Sequence, residues 1–163
     1  MMLGLSLHAF TVFHVFISLL GIGAGLIVVL GMMGGKPYRL LTAIFLITTV
    51  ATSLTGFLFP FEGFKPSYVV GILSLIVLLL AIVAYYPKHL AGAWRWIYAV
   101  CAVIALYFNF FVLIVQSFQK VPSLHALAPT QSEPPFAIAQ LVALAIFIAL
   151  GVLSVRKFHP DRG

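Results

Sequence analysis

LHAFTVFHVFISLLGIGAGLIVVLGMM, residues 7–33, decides the fold class, because it runs from Leu7 to Met33 without one Lys, Arg, Asp or Glu. A helix of about 20 apolar residues crosses the ~30 Å hydrocarbon core of a bilayer. The stretch exceeds that length, and no Lys or Arg precedes it. It therefore reads as a retained spanning helix rather than as a cleaved signal peptide, which needs a basic start and a shorter apolar region.

Four more apolar stretches reach spanning length, at about 38–59, 67–86, 94–118 and 135–155. Helix breakers separate them. Gly34-Gly35-Lys36-Pro37 follows the first, and Pro60 to Ser67, with a proline near each end, follows the second. Pro87-Lys88-His89 with Gly92 forms the third break, and Gln119 to Pro134 forms the longest. Within the last, residues 123–127 lie between Pro122 and Pro129 and suit one interfacial helical turn. Thr130-Gln131-Ser132-Glu133 fits the capping-box pattern at the start of the fifth span. The expectation is an all-α membrane protein: one integral domain over residues 1–163, a bundle of five transmembrane helices.

Composition agrees. Charged residues make up 7% of the chain and hydrophobic ones 63%, with a mean hydropathy of +1.20. Soluble domains carry about 25% charged residues, so a water-soluble globule is excluded. The net charge of +6 reflects scarce acid, since Glu62, Glu133 and Asp161 are the only carboxylates. The cations lie between apolar spans, so they read as a topology signal and not as a nucleic-acid surface. Lys36, Arg39, Lys88, Arg95, Arg156, Lys157 and Arg162 fall on one side, and only Lys65 and Lys120 on the other. The richer side is expected in the cytoplasm, which puts the N-terminus out and the C-terminus in. Tyr85, Tyr86, Trp94 and Trp96 cluster near that inner interface, whereas Phe57, Phe59, Phe61 and Phe64 mark the outer ends.

Polar residues within the spans are distributed unevenly. Thr11, His14, Ser18, Gly21 and Gly25 recur every three or four residues and share one face of the first helix. Gly21 and Gly25 form a G-x-x-x-G pattern suited to close helix packing. The second helix carries Thr42, Thr48, Thr49, Thr52, Ser53 and Thr55. The fourth has Asn109 and Gln116 on one stripe, and the fifth has Gln140. His14, Thr52, Ser53, Asn109 and Gln140 lie roughly 8–14 Å in from their outer helix ends at about 1.5 Å per residue. The third helix offers only Gly71 and Ser74, and is expected to face mainly lipid. Candidate ligand-binding residues are thus Thr11, His14, Thr52, Ser53, Asn109, Gln116 and Gln140. His125, Gln131 and Glu133 are candidates for a lid in the long outer loop.

Two interpretations fit this polar set. The groups either hydrogen-bond one another to hold the bundle together, or line an outward-opening site, which an intramembrane histidine favours. A haem held by two imidazoles needs a partner for His14. His8 sits about 120° away around the helix, while His89 and His159 belong to the other side, leaving His125. His8, His14, His125 and Glu133 lack metal-ligand spacing, so no metal site is expected. No carboxylate lies inside a span to couple proton or sodium transport. Cys101 stands alone, which leaves no disulfide and no C-x-x-C. Ser53 near His14 has no orienting carboxylate and no G-x-S-x-G context, so no catalytic residue is assigned. Lys65-Pro66-Ser67 and Lys120-Val121-Pro122-Ser123 occupy equivalent loops, compatible with an ancient hairpin repeat.

TSLTGFLFPF at 52–61 and ALAPTQSEPPF at 126–136 resemble stretches of a family of small bacterial multi-span inner-membrane proteins. The resemblance implies a bacterial cytoplasmic membrane with both motifs facing outward, and carries over no functional residue. The leading expectation is a non-enzymatic protein, either an accessory subunit or a binder of an apolar ligand, with its polar site in the periplasmic half. It would meet the lipid bilayer and a membrane-protein partner or second copy, and no nucleic acid. One alternative is a redox protein holding quinone or haem near His14. Another is a channel or permease for a small neutral solute.

Overall fold

The computed structural model describes residues 3–60 and 62–160, so Phe61, Asp161 and Arg162 lie outside the described residues. The helices are α1 (Leu7–Met33), α2 (Arg39–Gly56), α3 (Pro66–Tyr85), α4 (Trp94–Lys120), α5 (Pro122–Leu127) and α6 (Pro134–Lys157). All except α5 are long and apolar enough to cross a membrane. No strand occurs among the described residues.

Local chemistry sets the helix ends. Ser6 caps α1 by accepting the Ala9 N–H at 3.2 Å, the usual work of an N-cap hydroxyl. At the other end, Lys36 N–H reaches Gly31 O at 2.8 Å and Gly35 N–H reaches Met32 O at 3.1 Å. That pair of bonds is a Schellman closure, and Gly35 supplies the left-handed residue it requires, with φ of +68°. Proline starts α3, α5 and α6, where first-turn N–H groups have no helical partner to lose.

The start of α6 corrects the capping-box expectation. Glu133, not Thr130, is the N-cap residue. Its carboxylate accepts from the Thr130 hydroxyl at 2.8 Å and from the Thr130 and Ser132 N–H groups at 3.2 and 3.1 Å. Only half of the box forms: Glu133 accepts the Thr130 N–H, but the Thr130 hydroxyl donates to the carboxylate instead of accepting an N–H, and of the first three helical residues only Phe136 has an N–H, which bonds to Glu133 O.

Successive helices α1 to α4 pack side by side, α4 also packs on α1, and α6 lies against α4 and α1. The two glycines of α1 permit this closeness. A Cβ on Gly21 would lie 2.9 Å from Thr48 Oγ1, and one on Gly25 would lie 2.8 Å from both Leu106 Cδ1 and the Phe45 ring. Alanines 81, 84, 99, 102 and 105, all fully buried, perform the same service between α3 and α4. Below them Arg95 ties α4 to the end of α6, donating to Val155 O at 3.3 Å and to Phe158 O.

The packed core therefore occupies one end of the bundle, around Phe45, Leu78, Leu106, Tyr98 and Phe158. The other end is open. Here the third helix departs from expectation, because α6 and not α3 is the most peripheral and buries the smaller share of its apolar length. Helix α3 stands between α2 and α4, and its small-residue stripe faces inward.

Candidate ligand cavity

A cavity of about 620 Å³ lies at the open end among α1, α2, α3 and α4, reaching the rim where α1 begins and α4 ends. Thr11 and His14 of α1, Thr52 and Ser53 of α2, and Asn109 and Gln116 of α4 all line it. Ser67, Gly71 and Ser74 complete the α3 side. Their spacing of four and three was readable as a helical face, but two serines and a glycine in a run of leucine and valine gave it little weight. Lys120, Lys65 and Glu62 stand at the rim. The last two pair at 3.1 Å on exposed surface, an arrangement worth little in stability.

Several polar wall residues are held in place by contacts with their neighbours. His14 Nδ1 lies 2.7 Å from Thr55 Oγ1 on the adjoining helix. Its ring meets the Phe59 ring edge-on at a centroid distance of 5.1 Å, and Phe59 in turn packs edge-on against Phe10 at the same distance. The imidazole is thus fixed by one hydrogen bond and one aromatic contact. Ser53 Oγ donates to Ser74 Oγ at 3.3 Å, and Asn109 Nδ2 reaches Thr49 Oγ1 at 3.5 Å. Thr11, Thr52 and Ser117 donate to carbonyls four residues back on their own helices, at 2.7–2.8 Å.

The remaining candidates lie elsewhere. Gln140 is absent from the wall; its Nε2 donates to Phe111 O at 3.2 Å in the α4–α6 seam. It shares the depth of Asn109 but belongs to a helix packed on the outside of α4 and α1. His125, Gln131 and Glu133 form no lid either, since no residue from 122 to 133 reaches the wall. His125 Nδ1 sits 3.3 Å from Phe118 O, while Gln131 Nε2 donates to Val115 O at 2.8 Å and its Oε1 accepts from Gln119 Nε2 at 3.4 Å. These contacts staple the loop to the flank of α4. A histidine and a glutamine so close in sequence to the α4 end find its last carbonyls before they can reach across a cavity.

The wall assembles no nucleophile with a base. Ser53 bonds to Ser74 and His14 to Thr55, and the single carboxylate in the wall, Glu62, stands at the rim with Lys65. His14 is the only histidine of the wall, so two imidazoles do not converge there among the described residues. No trio of metal-ligating side chains converges among them either. The arrangement can hold a molecule with an apolar body and a hydrogen-bonding head. Phe57, Phe59, Tyr68 and Phe108 supply aromatic surface for the body. Comparison with protein-family models, curated proteins and solved structures gave no match to the chain.

Proposed function

We propose that this is a multi-pass membrane protein that binds an amphipathic small molecule between α1, α2, α3 and α4 and performs no chemistry on it, acting alone or as an accessory subunit. The observation carrying this reading is the cavity, whose volume of about 620 Å³ falls within the 300–1,000 Å³ usual for small-molecule sites. Its walls combine aromatic surface with a few placed polar groups, the other mark of such sites. The proposed setting is a bacterial cytoplasmic membrane with the cavity on the periplasmic side. Among the described residues, six Lys and Arg at the packed end against two at the open end support that orientation.

A redox protein holding a membrane quinone beside His14 is the second reading, favoured by the aromatic flank of that histidine. Haem has less support, with a single imidazole in the wall. A channel has less support too, because fully buried Phe45, Leu106 and Tyr98 fill the bundle beyond the cavity.

The test is organic extraction and mass spectrometry of protein purified in mild detergent, beside a Ser53→Phe variant whose ring would fill the cavity. The expected result is a small amphipathic molecule, near one per chain, released by the wild type and missing from the variant. Identical extracts from the two folded proteins would refute the reading.

A further inference from the structure

Hydroxyls of α1, α2 and α4 stand on the cavity wall as hydrogen-bond acceptors, and the reason is visible on each of these helices. A hydroxyl has one proton to give. Thr11 gives its proton to Leu7 O at 2.8 Å, Thr52 to Thr48 O at 2.8 Å and Ser117 to Leu113 O at 2.7 Å. What these side chains turn to the cavity is lone pairs. Behind His14 the same economy recurs, since Thr55 Oγ1 lies 2.7 Å from Ala51 O. Two oxygens that close with no proton between them would oppose their lone pairs, so the Thr55 proton points toward Ala51. Only a lone pair is then left for His14 Nδ1, 2.7 Å away. Nδ1 must therefore carry the ring hydrogen, which leaves Nε2 of the neutral imidazole as a bare acceptor. Among the described residues Nε2 has no hydrogen-bond partner.

Two donors deep in the wall are engaged. The Ser53 hydroxyl is directed to Ser74 and the Asn109 amide to Thr49. Ser18, Ser67, Gln116 and Lys120 also line the wall, and the Lys120 charge disfavours a cationic head group. Aromatic rings flank the His14 end.

We infer that the cavity selects a neutral lipophilic phenol or hydroquinone, whose O–H donates to His14 Nε2, over the same skeleton carrying a carbonyl or ether oxygen. This rests on the reading that the cavity binds an amphipathic ligand, and it names the head group. For a quinone pool, the reduced, hydroxyl-bearing form is the one His14 prefers.

The matched probes are 4-nonylphenol and its methyl ether 4-nonylanisole, titrated against the full chain in lipid nanodiscs. Binding is followed by ¹⁵N NMR of histidine-labelled protein, with the His14 signals assigned by a His14→Phe variant. In the free protein Nδ1 is expected to be protonated and Nε2 bare. The phenol is expected to bind about tenfold more tightly than the ether, the usual worth of one hydrogen bond made rather than missed. Thr55→Val, which removes the acceptor that fixes the ring, is expected to abolish that preference, and Thr55→Ser to keep it. A protonated Nε2 in the free protein, equal binding of the two probes, or a preference unchanged in Thr55→Val would overturn the head-group assignment while leaving the cavity a binding site. Failure of both probes to bind would overturn the cavity reading, and this inference with it.

Discussion

Replacing Gly25 with alanine would place a methyl group 2.8 Å from Leu106 Cδ1 and 2.8 Å from Cδ2 and Cε2 of Phe45. Carbon atoms prefer separations of about 3.5–4.0 Å, so the neighbours must retreat by roughly 0.7–1.2 Å. Neither has anywhere to go, since Phe45 and Leu106 are fully buried. Overpacking of this kind costs about 1–3 kcal/mol. Alanine also favours the helix by about 1 kcal/mol over glycine, which partly conceals that cost. Gly23→Ala, two residues away, removes the ambiguity because a Cβ there meets nothing within 4 Å. The propensity gain is common to both variants, so their difference isolates the packing term of about 1–3 kcal/mol. Equilibrium unfolding of detergent-solubilised protein, followed by circular dichroism, measures both variants. Gly25→Ala is expected to be the less stable by that margin. Agreement of the two within about 0.5 kcal/mol would refute the close approach of α1 to α2 and α4.

Arg95→Met should loosen the α4–α6 junction by about 1.5–3 kcal/mol, the range for hydrogen bonds to a charged group, because Val155 O and Phe158 O lose their donor; an unchanged unfolding midpoint would contradict the cap. Asn109→Leu removes only a 3.5 Å contact to Thr49. Its stability cost should be about 0.6 kcal/mol, whereas the amount of bound amphiphile recovered by extraction should fall, and full recovery would take Asn109 out of the site. Glu133 provides a pH test. Desolvation pushes its carboxyl up, but the hydrogen bonds from the Thr130 hydroxyl and from loop N–H groups prevail and hold it below its ordinary value of 4.5. A depressed folded value means its stabilisation is complete above the unfolded pKa and is lost as pH falls through the folded one. Hydrogen exchange at Thr130 and Ser132 should therefore quicken below about pH 4.5 in the wild type, and be fast and pH-insensitive, after correction for intrinsic rates, in Glu133→Gln. Identical profiles for the two would show that the carboxylate does not order the loop.

The number, order and approximate ends of the five helices long and apolar enough to cross a membrane could be read from the chain, because a helix built for hydrocarbon must satisfy its own hydrogen bonds over a length a bilayer dictates. The same holds for the short helix between Pro122 and Pro129, and for the glycine face of α1, whose residues carry the information in their spacing. The second span was read too long, at 38–59 against an observed Arg39–Gly56. Phe57 and Phe59 are as apolar as any helical residue, and hydropathy does not register that they turn aside to pack on Gly71 and His14.

Which polar residues meet was a different question, and only the tertiary structure answered it. Depth along a helix is a property of one segment, so Gln140 and Asn109 looked equivalent. Convergence is a property of neighbours: α6 packs outside α4 and α1, so Gln140 ends in a seam, while the unremarkable Ser67, Gly71 and Ser74 of α3 form a wall. The direction of the His14 proton is likewise invisible in the chain, since it depends on how Thr55 of another helix spends its own hydrogen on Ala51. Sequence sets what each helix must bury. Partner choice among helices decides which of those faces come to enclose the same space.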